Sequence, residues 1–365
     1  MLGGLSAQAF LLRYWQKRPL LVRAALPDFI DMVTKRALCT LAARADVESR
    51  LVERKRGKFR VTHGPLARSD VPRPVARDWT LLVNGVNHHV ARAEQLLRRF
   101  AFMPQARLDD VMVSYAARGG GVGPHVDSYD VFLVQGRGRR RWRLARPRAF
   151  ELVRDAPLRL IAGFRVEKEI LLEPGDLLYL PLGWGHDGVA LDPGFTYSIG
   201  FRAPRGAELG AAFLDYLHER GLPDAIYRDP GLRPTARPAR IGPDLAAFAA
   251  AQLARIRWTR GDVEEFLGRF LSTPKPSVVF SSNRNFSGKI RNRTVNLHPK
   301  TQMLYRGKRF FINGEVLHPP PAQRAALAWL ADRRRAPGSV LARAGLERLI
   351  FEWHQAGFLL LGTGP

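Results

Sequence analysis

The sequence predicts a mixed α+β protein in three parts: a barrel of short β-strands, a helical region and a small α/β module. Three observations lead there. Residues 124–142, PHVDSYDVFLVQGRGRRRW, join two metal-ligand side chains to a strand pattern and a glycine turn. Turn signals recur further on, at Pro174-Gly175-Asp176 and Pro181-Leu182-Gly183, as short strands around a barrel require. Beyond Pro204 the apolar residues change to helical spacing, and the chain closes on a hairpin followed by helices.

In chain order, residues 7–15 read as an amphipathic helix that stops before Pro19, and residues 28–43 as a second helix around Phe29, Met32, Leu38 and Leu41. Residues 49–52 and 57–61 form an antiparallel pair of strands, and His63, in THGPL, reads as a turn residue. An apolar strand follows at 79–83. His88 and His89 open a helix that continues to Phe102; adjacent helical residues point in different directions, so the two are poor joint ligands. Along 110–116 the parity is informative. Val111, Val113 and Tyr115 make a core face. Asp110, Met112, Ser114 and Ala116 mix a carboxylate, a thioether and a hydroxyl, which suits a ligand cavity. Residues 131–134 read as a buried strand and 136–138 as a hairpin turn, with Arg140, Trp142 and Leu144 sharing one face of the returning strand. In FTYSIGFR the small face of Thr196, Ser198 and Gly200 leaves room for a ligand, while Phe195, Tyr197, Ile199 and Phe201 pack outward on a second layer.

Leu209, Phe213, Tyr216 and Leu217 then mark a helix, and a proline-rich linker over 223–243 leads to helices at 245–256 and 263–271. Their broad apolar faces either dock on a second copy of the chain or cover the barrel; the pattern leaves both open. The end combines a hairpin (303–305 with 310–312), helices at 322–332 and 346–355 and a last strand at 358–361, a plan compatible with a winged helix. The basic stretch 284–300, with Arg284, Lys289, Arg291, Arg293 and Lys300, reads as a solvated loop, and no recognition helix stands out.

The candidate chemistry centres on His125 and Asp127. Two apart on a strand, they point the same way and can chelate one ion, with His186, from PGDLLYLPLGWGHDG, as the third ligand. Two imidazoles and a carboxylate leave metal positions open for a cosubstrate and oxygen, the donor set of non-haem Fe(II) oxygenases. A bare His-x-Asp pair is common; here Gly119, Gly120, Gly121 and Gly123 let backbone crowd the site. Arg140, on the face that carries Trp142 and Leu144, needs an anionic partner, since burying an unpaired guanidinium is strongly unfavourable. A dicarboxylate gripped by the metal at one end and Arg140 at the other would fit, with Ser114 donating beside it. Tyr129 shares parity with His125 and Asp127, and its ring would stack on a planar guanidinium. Asp110 either pairs with a cationic substrate side chain or belongs to a solvent face.

At this point the residues carry a family resemblance. HVDSYDVFLVQGRGRRRW, GDLLYLPLGWGHDG and TYSIGFRAP, with WQKRPLLVR, SRLVERKRGKFRVTHGPL and LLVNGVNHHV before them, closely resemble the JmjC-type bacterial ribosomal oxygenases. More narrowly they resemble members that hydroxylate an arginine of large-subunit ribosomal protein L sixteen. The likeness runs from the start through Pro204 and is loose beyond. It implies a cupin-like double-stranded β-helix (the JmjC jelly roll) over 1–204, a helical dimerisation region over 205–272 and a winged-helix-like domain over 273–365. It also implies dependence on Fe(II), 2-oxoglutarate and O2. Iron would sit on His125, Asp127 and His186, 2-oxoglutarate on Arg140 and Ser114, and the substrate against Asp110, Tyr129, Met112 and Ser198. A homodimer and a ribosomal-protein substrate follow from the same resemblance.

At 365 residues the chain is long enough for two or three domains, and no apolar run approaches a membrane span. Its start has some signal-peptide flavour, but Arg13, Gln16 and Lys17 interrupt the apolar run. One cysteine, Cys39, cannot form an internal disulfide and points to a reducing compartment; the expected location is the cytoplasm. The net charge of +25 rests mostly on arginine, which reflects coding bias as much as function, yet it favours nucleic-acid-rich surroundings such as ribosomal RNA. Two other readings stand beside arginine hydroxylation. One is a JmjC histidine hydroxylase or lysine demethylase; the other, of a different class, is a winged-helix nucleic-acid-binding regulator with an inactive cupin. Intact metal ligands and the inward Arg140 argue against the last.

Overall fold

The computed structural model of the chain describes residues 1–73, 75–283 and 289–363. It opens with α1 (Ala7–Arg13), capped by the Ser6 hydroxyl, and β1 (Leu20–Val22). The second helix is shorter than its apolar pattern predicts: α2 (Lys35–Ala42) starts only at Thr34, whose hydroxyl accepts from the Ala37 amide. Residues 28–34 lie outside it because Asp28 is in the left-handed region and Asp31 accepts from the Arg137 amide and the Tyr197 hydroxyl. Next come β2 (Ser49–Lys55), β3 (Lys58–His63) and β4 (Trp79–Val83). His88 falls in a single 3-10 turn, Val86–His88, ahead of α3 (Ala91–Arg98), so the histidines precede the helix rather than open it.

The remaining barrel strands are β5 (Leu108–Ala116), β6 (His125–Val126), β7 (Val131–Gln135), β8 (Arg140–Ala145), β9 (Lys168–Leu172), β10 (Leu177–Leu180), β11 (Gly185–Ala190) and β12 (Gly194–Phe201). One sheet runs β1-β10-β7-β12-β5-β4-β2-β3 and the other β6-β11-β8-β9, with all pairs antiparallel. Face to face they bury Val131, Leu133, Trp142, Leu144, Ile170, Leu172, Leu178 and Leu180. The other face of the larger sheet, with Phe132, Tyr179, Phe195, Tyr197 and Phe201, packs under the helices against Phe10, Leu38 and Leu96. Each such side chain contributes roughly 1.5–3 kcal/mol of burial before entropy is counted. Strands covered on both faces explain why β7 is apolar at every position but its last.

The expected hairpin over 136–138 is an arch. β7 and β8 belong to different sheets: β7 lies between β10 and β12, and β8 between β9 and β11. A strand has two edges, and both edges of each are taken. The arch is closed by Gln135, whose Nε2 donates to the Gly138 and Phe195 carbonyls, and by Gly138 at φ +83°, where a Cβ would approach the Pro193 carbonyl oxygen to 2.8 Å. Arg140, Trp142 and Leu144 still face the barrel interior.

Beyond the barrel, α4 (Gly206–Glu219) is followed by an irregular, largely exposed stretch over 220–242, then α5 (Pro243–Leu253) and α6 (Arg260–Ser272). α4 and α6 pack through Phe213, Tyr216, Leu217, Phe266 and Phe270. The C-terminal module comprises β13 (Arg293–Leu297), β14 (Met303–Arg306), β15 (Arg309–Ile312), β16 (Glu315–Leu317), α7 (Pro321–Arg333), β17 (Arg335–Pro337), α8 (Gly338–Arg343), α9 (Glu347–Gln355) and β18 (Leu359–Thr363). Of the basic stretch expected as a loop, Arg284 lies outside the described residues, whereas β13 is the central strand of the β17-β13-β18 sheet. Its buried Val295 and Leu297 alternate with polar neighbours, a period that the surrounding arginines mask.

The module is fastened to the barrel. Gln105 Nε2 donates to the Ala331 carbonyl at 2.9 Å, and the buried Arg334 lies 3.6 Å from Glu94 while donating to the Thr301 and His298 carbonyls. Among the described residues no helix is long and apolar enough to cross a membrane.

Candidate metal centre

His125 and His186 reach the same point because their strands pair. β6 and β11 are antiparallel with His186 directly opposite His125, and the ring centroids lie 4.2 Å apart. The strand ends at Val126, but the Asp127 carbonyl accepts from the Gly183 amide, which keeps Asp127 beside β11. Its Oδ2 is 3.5 Å from His186 Nε2, and one ligand atom from each of the three residues falls within 4.8 Å of the others. Each imidazole is held from behind: Nδ1 of His125 is 2.9 Å from the Gly123 carbonyl oxygen, and Nδ1 of His186 is 2.9 Å from that of Trp184. A carbonyl can only accept, so Nδ1 carries the proton and the Nε2 lone pair is free for a metal. Burial, then the neighbouring His125, lower the His186 pKa to about 4, so the ring is neutral at pH 7, the form that binds metal. The glycine run lets this happen: a Cβ on Gly121 would sit 2.4 Å from the Gly188 carbonyl oxygen.

The three ligands line a cavity of about 550 Å³ between the sheets. Arg140 lies at its inner end, 6% exposed, with Nη1 3.4 Å from Ser114 Oγ and the guanidinium 5.7 Å from the Trp142 ring centroid. No carboxylate among the described residues forms an ion pair with it. Burial lowers its pKa to about 10, which leaves it cationic. Thr80, on β4 and also lining the cavity, has a buried hydroxyl with no hydrogen-bond partner among the described residues. A buried cation without an anion and an orphaned hydroxyl are what a carboxylate ligand would satisfy. The converging Nε2 lone pairs and one carboxylate likewise suit a divalent metal with open positions.

Asp110, Met112, Ser114, Tyr129 and Ser198 all line the same cavity. Tyr129 stands beyond the end of β6 and is 40% exposed, in the bend that follows the strand. Asp110 is not free: it accepts from the Gly85 amide at 3.0 Å and from Lys275 Nζ at 3.2 Å. Burial pushes its carboxyl up and the Lys275 ammonium works against that shift. Thr80 and Lys275 are among the lining residues that escaped the sequence reading. Thr80 was legible by parity, as the one hydroxyl in an otherwise apolar WTLLV strand. Lys275 had no local signal, since it meets Asp110 across 165 residues of chain.

A double-stranded barrel with this triad and a buried arginine opposite it defines a JmjC-type oxygenase site. The JmjC domain family matches residues 95–209 and the ROXA-like winged helix residues 255–360. The chain is 43% identical over 237 residues to the ribosomal protein uL16 3-hydroxylase of Escherichia coli (strain K12), an alignment covering 64% of this chain and 62% of that protein. The X-ray structure of Escherichia coli ycfD superposes with a TM-score of 0.83 at 31% identity and covers 98% of both chains. The ycfD complex with cobalt and 2-oxoglutarate also matches over 98% of both chains, at a TM-score of 0.81. This chain belongs to the JmjC-type ribosomal oxygenases. In sequence it spans about three fifths of the curated relative it matches.

Proposed function

We propose that this protein is an Fe(II)- and 2-oxoglutarate-dependent oxygenase that hydroxylates an arginine side chain of a large-subunit ribosomal protein, uL16 being the first candidate. The observation that carries the reading is Arg140: a buried guanidinium that no carboxylate among the described residues pairs with, in one cavity with three converging metal ligands. His125, Asp127 and His186 would hold the iron. Arg140 would take the far carboxylate of 2-oxoglutarate in a charge-assisted pair, supported by the Ser114 and Thr80 hydroxyls. When bound, the metal and cosubstrate supply the oxidising power that converts a C–H bond to an alcohol using O2. The chain's own work is placement. The Nδ1 contacts of His125 and His186 leave Nε2 of each ring free for the metal, Arg140 fixes the cosubstrate's direction, and Trp142, Leu133 and Val131 exclude water from the inner end.

At the mouth, Asp110 would meet the substrate guanidinium and the Tyr129 ring would lie along it, with Met112 and Ser198 flanking the aliphatic part. That arrangement turns carbon rather than nitrogen toward the iron, so the product is a side-chain alcohol. We assign residues 1–204 to the oxygenase, 205–272 to a helical region and 273–365 to the winged-helix-like domain. Exposed Leu214, Leu245, Leu253 and Trp258 on or beside α4 and α5 support docking of that helical region on a second copy. The cytoplasm, among ribosomal proteins and ribosomal RNA, is the setting this substrate requires.

The test presents arginine-, histidine- and methyl-lysine-containing ribosomal peptides side by side with Fe(II), 2-oxoglutarate and O2. Mass spectrometry should find one added oxygen on arginine only. Oxidation confined to histidine, or loss of methyl groups from lysine, would overturn the substrate assignment.

A further inference from the structure

The mouth of the cavity holds a cation of the protein's own. β5 and β12 lose register between Ile199 and Phe201, so β5 fits one additional residue there. A bulge re-aims side chains. Here Asp109 and Asp110, neighbours that a regular strand would point to opposite faces, both reach Lys275 Nζ, at 2.9 and 3.2 Å. Lys275 follows α6 in Thr273-Pro274-Lys275-Pro276, and the flanking prolines favour an extended, restricted backbone from which the side chain projects. Asp109 also faces Arg202 Nε at 3.4 Å. Two carboxylates thus meet two cations, and Asp110 already has a cationic partner with no substrate present. A cationic side chain that comes to Asp110 adds an unmatched positive charge unless Lys275 leaves.

We infer that Lys275 occupies the cation subsite in the free enzyme and must be exchanged for the substrate, which makes it an internal competitor that sets how tightly a cationic side chain binds there. The inference rests on the arginine reading above. An incoming lysine would replace one ammonium by another at the same oxygens and gain no bond. Arginine offers a planar fork whose two parallel donors exceed what Lys275 gives up. The exchange needs no backbone movement: the Lys275 side chain is already 35% exposed, and its four-carbon stem is flexible enough to turn into solvent.

The experiment uses the full-length protein loaded with Mn(II) and 2-oxoglutarate without oxygen, at mildly alkaline pH so that the buried Asp110 stays ionised. Affinity is measured for an arginine-bearing ribosomal peptide and its arginine-to-lysine counterpart, with wild type, Lys275→Met and Lys275→Arg. If Lys275 fills the subsite in about nine free molecules of ten, Lys275→Met should bind the arginine peptide about tenfold more tightly. The same variant should gain on the lysine peptide by the same factor, leaving the ratio of the two affinities unchanged, and Lys275→Arg should bind the arginine peptide more weakly than wild type. A lysine that merely supports the fold predicts another pattern, with Lys275→Met weakened and Lys275→Arg close to wild type. That pattern, or unchanged affinities, overturns the inference while leaving the hydroxylase reading intact if wild type oxidises the arginine peptide in air. Wild type that neither binds nor oxidises the arginine peptide sinks both.

Discussion

At the inner end of the cavity, among the described residues, Arg140 has no carboxylate partner and the Thr80 hydroxyl no hydrogen-bond partner, whereas at the mouth Asp109 and Asp110 are already matched by Lys275 and Arg202. Both ends bury charge, yet they handle it differently. The inner end is enclosed by β4, β5, β7 and β8 and leaves its donors waiting, so the ligand that arrives completes a site already shaped for it. The mouth faces the segment after α6 and meets its charge from within the chain. A ligand there must compete, and that competition lowers its apparent affinity.

The contrast can be broken most severely at the metal. Asp127→Ala should abolish turnover and Mn(II) binding, while thermal unfolding shifts little, because the carboxylate, 23% exposed at the cavity wall, adds no core packing. An active Asp127→Ala protein would falsify the ligand assignment. Arg140→Ala comes next: losing a charge-assisted contact of about 1.5–3 kcal/mol should raise the 2-oxoglutarate dissociation constant at least tenfold. Arg140→Lys should recover only part of this, since an ammonium lacks the planar fork. Titration of 2-oxoglutarate against each variant decides the point, and unchanged affinity in Arg140→Ala would mean that the inner end binds its ligand by the metal alone. The mildest change, Thr80→Val, keeps the shape and removes one hydroxyl. It should weaken 2-oxoglutarate a fewfold, by about 0.5–1.5 kcal/mol, without lowering thermal stability, because the hydroxyl has no partner among the described residues to lose.

Much of the inner end was legible before any coordinates. Parity along β5 separated Met112 and Ser114 from Val111 and Val113, and parity along β8 put Arg140 with Trp142 and Leu144; the cavity lining follows both. Strand period is a property of the backbone, so a single sequence carries it. The arch between β7 and β8 was not legible, because a glycine turn between two strands looks the same whether the strands pair or part. Only the edges claimed by β9, β10, β11 and β12 decide that.

The sequence by itself therefore determined the ligand types, the faces they occupy and the family they belong to, since each depends on residues close together in the chain. The tertiary structure alone decided what meets at a distance: His125 opposite His186 on paired strands, Thr80 opposite Ala116 and so in one cavity with Ser114 through the pairing of β4 with β5, and Lys275 at a bulge of β5 that aims two adjacent carboxylates at one ammonium. Such meetings are set by sheet register and domain packing, which sum many weak contacts over the whole chain and leave no mark on any one stretch of it.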